Sequence, residues 1–138
     1  MSMIEIADVS QVSRATLYNH YRDKDSVLLA LCESELARLV EIAQNASDAT
    51  SALEQISLQV SSDPALAAMR VQDPDLLTLA LSKQDDNLWK AFSIALAHLL
   101  GEGKSALALR WLLGQALHPI NEQQSRAQAE AITGIANL

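Results

Sequence analysis

The side chains with most to offer chemically crowd into one short stretch: Ser13, Arg14, Thr16, Tyr18, Asn19, His20, Tyr21 and Lys24. Arg14 carries a forked donor that suits guanine or phosphate, and Asn19 carries the donor–acceptor pair that matches adenine. Thr16 and the two tyrosine hydroxyls suit phosphate or base-edge contacts. Tyr18 and Tyr21 equally suit a small aromatic core, and Arg14, Asn19 and His20 equally suit a solvated helix face. Lys24 opens the next helix, whose N-terminal dipole also favours phosphate, or it pairs locally with Asp23 or Asp25.

Other chemistries find little support. There is no glycine-rich phosphate loop, serine elbow or His-Glu pair at zinc spacing, so neither an enzyme nor a cofactor is expected. His98 and His118 have no carboxylate at helical metal spacing, and no metal site is expected. Cys32 stands alone, which excludes an intramolecular disulfide and a cysteine cluster. With nothing basic beside it, it reads as a small buried hydrophobe rather than a redox sensor.

The elements that must position these residues are helices almost throughout. The pattern places them near 3–9, 13–20, 24–44, 51–61, 64–71, 74–83, 86–100, 105–117 and 122–137. Asp63-Pro64 and Asp73-Pro74 put a capping oxygen before a proline at the first helical position. Asp85-Asp86 opens a further helix, and Asn121-Glu122-Gln123-Gln124 has the form of a capping box. Gly101-Glu102-Gly103 and His118-Pro119-Ile120 are stops. Sustained apolar/polar alternation is missing, so the fold class is all-α. A seam near Asn45-Ala46-Ser47-Asp48 divides residues 1–45 from residues 46–138.

Within the first part, a short helix around Ile4 and Ala7, a turn at Ser10-Gln11-Val12 and a second helix capped by Ser13 make a helix-turn-helix. Ile6-Ala7 followed by Val12 through Leu28 (VSRATLYNHYRDKDSVL) resembles the DNA-binding segment of TetR-family transcriptional regulators. The turn carries Ser10 and Gln11 where that family commonly has alanine and glycine.

The resemblance implies an incomplete helix-turn-helix head, since the family's first helix would precede Met1, followed by a helical bundle of the TetR-regulator type. It implies a ligand-responsive repressor that binds double-stranded operator DNA, a palindrome, as a homodimer. DNA contact would then fall to Ser13, Arg14, Ala15, Thr16, Tyr18, Asn19, His20, Tyr21 and Lys24. The alternative is a helical dimerisation or regulatory module that has lost DNA binding through N-terminal truncation.

A small-molecule effector of such a regulator would sit among the helices of residues 51–117. Candidate lining residues are Met69, Leu77, Trp89, Phe92, His98, Arg110 and Trp111, mostly apolar with a few polar groups to orient a ligand. The same aromatics also read as ordinary core. The last two helices carry an interface signal. Residues 106–117 are apolar on nearly every side, and Ala127, Ala131 and Gly134 form a small-residue stripe. Leu109, Leu113, Leu117, Ala127, Ala131 and Ile135 are the expected dimer contacts, in a four-helix bundle about a two-fold axis, the alternative being packing within one chain.

Composition bounds the rest. The chain has 138 residues, 49% hydrophobic and 20% charged, enough apolar material for a real core. The net charge of −7 argues against a nucleic-acid binder that uses its whole surface. Residues 1–30 set three cations against four carboxylates, a net −1. No apolar run reaches the length of a membrane span and the first residues do not form a secretion signal, so no membrane partner and a cytoplasmic location are expected.

Overall fold

The computed structural model describes residues 23–82 and 87–134. The helices expected at 3–9 and 13–20, the residues Ser13 to Tyr21, the Asp85-Asp86 start and Ile135 lie outside the described residues.

Every regular element among the described residues is an α-helix: α1 (Lys24–Gln44), α2 (Ala49–Ser62), α3 (Pro64–Gln72), α4 (Pro74–Ser82), α5 (Asn87–Leu100), α6 (Glu102–Leu117) and α7 (Glu122–Thr133). The chain is all-α, as its sequence pattern requires. None of these helices is long and apolar enough to cross a membrane.

Side-chain oxygens start most of them. The Asp23 carboxylate accepts the Ser26 N–H at 2.8 Å, and the Asp48 carboxylate accepts that of Ser51 at 2.8 Å. Asp48 therefore starts α2 at Ala49, two residues before the start expected from apolar spacing. Asp63 accepts from Leu66 N–H at 2.8 Å, with Pro64 in the first turn. Asp73 works in both directions. Its own N–H closes α3 on the Met69 carbonyl at 2.9 Å, and its carboxylate accepts the Leu76 N–H of α4 at 3.2 Å.

Asn121 and Gln124 form the capping box of α7, each side chain accepting the other's backbone N–H. The break at residues 101–103 is shorter than expected. Gly101 alone separates α5 from α6, at φ 89°, while Glu102 and Gly103 are already helical. A single glycine in a region that L side chains rarely adopt turns the chain without a longer loop.

The chain divides into two compact units, neither a continuous stretch. In the first, residues 23–35 join residues 63–82. Its core sets Val27 and Leu28 of α1 against Met69 of α3 and Leu76 and Leu77 of α4, with Leu31, Cys32 and Leu66 packed around them. In the second, residues 36–62 join residues 87–134. There α2, α6 and α7 meet around Leu53, Ala108, Ala129 and Ile132, with Leu100 and Trp111 against them. α5 packs along α6 and buries Phe92, Ala95 and Leu96.

Candidate functional site

Of the residues expected to contact DNA, Lys24 is described. It is the first residue of α1 and half-buried. The Asp23 carboxylate already serves the Ser26 N–H in that first turn, and hydrogen bonds from Ser26 hold it below its ordinary pKa. An anion of the protein's own thus occupies the positive end of the helix.

The expected effector residues fall in both units. Met69 and Leu77 belong to the core of the first and retain 0% and 2% of their surface. The others belong to the second unit. There Phe92 is buried at 1% exposure, Trp89 and Trp111 are half-buried, and His98 and Arg110 are exposed. The Trp111 indole N–H donates to Gln128 Oε1 at 2.6 Å, which ties α6 to α7. A surface depression of about 330 Å³ lies at the start of α7, lined among the described residues by Asn121, Glu122, Gln123 and Arg126. It includes none of the expected effector residues.

Of the expected dimer contacts, Leu109 and Leu113 are half-buried and Leu117, Ala127 and Ala131 are exposed. The exposed stripe of α6 runs through Leu107, Arg110, Gly114 and Leu117, at the three- and four-residue steps of one helix face. On α7 the exposed stripe runs through Ala127 and Ala131. The buried stripe of that helix, Ser125, Ala129 and Ile132, faces the core. Arg126 reaches across to Glu54 of α2, with 3.2 Å between Nε and Oε1. Lys104 Nζ donates to the Thr133 carbonyl at 2.9 Å and so closes the C-terminus of α7.

The most unusual chemistry in the second unit is a polar cluster in its interior. Gln115 of α6, at 2% exposure, meets Ser57 and Ser61 of α2, and Ser57 also meets Ser125 of α7. Both α2 hydroxyls donate to Gln115 Oε1 at 2.7 Å. Ser61 Oγ in turn accepts the Ile120 N–H at 3.1 Å, which fixes the strap between α6 and α7. Sequence reading passed over these residues. The signal was present: Gln115 interrupts the apolar run of 106–117, and Ser57 sits between Leu53, Ile56 and Val60 on a core stripe.

Cys32 is half-buried beside the first core, and burial together with Asp63, Glu33 and Glu35 pushes its thiol up to about 12. That is the opposite of the lowered value a reactive thiol needs. Among the described residues, no group of three or more His, Cys, Asp or Glu side chains is gathered to hold a metal ion. His98 and His118 are both exposed, and the His118 N–H closes α6 on the Gly114 carbonyl at 2.8 Å.

Set against known proteins, the chain matches no family model, no curated protein and no solved structure.

Proposed function

We propose that the chain is a DNA-binding transcriptional regulator of the TetR type, a ligand-responsive repressor that acts as a homodimer on a palindromic operator. The observation that carries this reading is the run from Val12 to Leu28, with its Thr-Leu-Tyr triplet, its paired aromatic and a lysine opening a long helix. Support comes from the architecture that follows. α1 begins at Lys24, where the motif requires a helix to begin, and the remaining described elements are all helical.

Support for the dimer comes from surface that a single chain leaves open. Leu107 and Leu117 are 39% and 47% exposed on α6, and the small residues Gly114, Ala127 and Ala131 are exposed with them. Small side chains let helices approach closely, and apolar ones supply the burial energy. Two recognition helices held one DNA turn apart, roughly 34–36 Å, read a palindrome that one short helix cannot hold. An effector would act by changing that separation. Trp89, His98, Arg110 and Trp111 keep the accessible surface such a ligand needs.

The test is fluorescence anisotropy of the full chain with the DNA flanking its own gene, titrated with salt. Saturable binding that exceeds random DNA and weakens steeply with salt is expected. Folded dimers without binding at low salt would overturn the regulator and leave the second reading, a helical dimerisation or regulatory module without DNA binding. The net −1 of residues 1–30 is the observation that favours that reading.

A further inference from the structure

We propose that the Gln115 side chain binds a single buried water molecule inside the helical unit formed by α2, α6 and α7. Proton counting leads there. Each serine hydroxyl has one proton to give. Ser57 and Ser61 spend theirs on Gln115 Oε1, so the 2.7 Å contact between Ser57 and Ser125 is made with the Ser125 proton. All three hydroxyl protons are then used, and the amide oxygen has both its lone pairs filled.

The other end of the same amide has nothing. Gln115 Nε2 is buried and has no hydrogen-bond partner. Turning the amide over does not cure this. The nitrogen would then donate to Ser57 and Ser61, and the oxygen would take its place as the orphan. Buried polar groups are paired with protein or with ordered water, and an orphan is costly.

The chemistry left over selects the ligand. The site offers two N–H donors on Gln115 and unused acceptor lone pairs on Ser125 and Ser61. An anion would satisfy the donors and oppose the lone pairs, and a cation would do the reverse. Water both accepts and donates, and one molecule serves both needs. Because Ser57, Ser125 and Gln115 are at most 2% exposed, water held there exchanges only when the helices open, and its residence is long.

The experiment uses the full chain labelled with ¹⁵N. The Gln115 side-chain NH₂ pair is identified by its loss in Gln115→Met, and its cross-relaxation with water is then measured. A strong water cross-peak is expected in the wild type, and it should persist in Ser57→Ala/Ser61→Ala, which removes two of the three hydroxyl protons able to relay exchange. A missing cross-peak in the folded wild type, or one that vanishes with the hydroxyls, overturns the proposal. Oxygen-17 relaxation dispersion gives an independent count, with one long-lived water fewer expected in Gln115→Met. An unchanged count overturns the proposal even if the serine double variant does not fold.

Discussion

The Ser57 hydroxyl on α2 and the Gln115 amide on α6 meet at 2.7 Å although 58 positions separate them in the chain, and both are buried. Neither residue has an alternative of equal quality in water once the helices pack, so the pair fixes the rotation of α6 on α2. Removing the amide should be expensive. Gln115→Ala leaves a void and strips Ser57 and Ser61 of their shared acceptor, and a loss of about 2–4 kcal/mol is expected in urea unfolding. Gln115→Met strips the two serines of the same acceptor but leaves no void, so it should cost less than Gln115→Ala by about 1 kcal/mol or more. A cost near zero for Gln115→Met would mean that Ser57 and Ser61 do not depend on this acceptor and that the cluster is not formed.

Gly101 gives a second prediction, because the turn between α5 and α6 rests on it alone. Its φ of 89° is unfavourable for any residue with a Cβ, yet nothing lies within 4 Å of where a Cβ would stand. The cost of Gly101→Ala is therefore backbone strain without a clash, about 1–3 kcal/mol. Thermal unfolding should show it, and an unchanged midpoint would mean that the turn relaxes to another conformation.

Much of this fold was legible along the sequence, for a local reason. Asp63-Pro64, Asp73-Pro74 and the Asn121–Gln124 box act within three or four residues of themselves, so their chemistry is visible without tertiary knowledge. α1 runs over the span its apolar spacing sets, and α3 and α4 end within a residue of theirs. What could not be read was which elements meet. That residues 63–82 pack with α1's first turns depends on contacts across long separations. The Ser57–Gln115–Ser125 cluster stayed hidden for the same cause. A glutamine in an apolar helix is visible in the sequence, whereas its partners on two other helices are not.

The acid limb of the stability curve should carry the mark of Asp48. Hydrogen bonds from Ser51 hold its carboxyl below its ordinary 3.8. A folded-state pKa below the unfolded one stabilises fully above the unfolded value, and that contribution fades as pH falls through the folded one. Asp48→Asn keeps an oxygen to cap α2 but has no proton to take up. Its urea midpoint should therefore fall less than the wild type's between pH 5 and pH 2, roughly the window of such a carboxylate. Parallel curves would mean that the cap does not discriminate between charged and neutral forms.

Cys32 titrates in the opposite sense. Its thiol is raised from 9.0 to about 12 by burial and by Asp63, Glu33 and Glu35. Stability linked to it is present below pH 9 and is lost as pH rises from there toward 12. At pH 8 the native thiol should react with a disulfide reagent far more slowly than a free cysteine, and unfolding in urea should restore the ordinary rate. Fast labelling of the folded chain would place Cys32 at an open surface.

Gly114 separates the stability of one chain from its association. It lies inside α6, exposed, with no atom within 4 Å of a built Cβ. For the chain by itself, Gly114→Ala replaces a poor helix former with the best one, a gain of about 0.5–1 kcal/mol. If the exposed stripes of α6 and α7 meet their copies across a two-fold axis, the added methyl enters the closest approach between helices. The expected outcome is a chain that melts higher at low concentration and dimerises more weakly in sedimentation equilibrium. A variant that gains thermal stability with its dimer constant unchanged would move the interface away from Gly114, and with it the proposed use of α6.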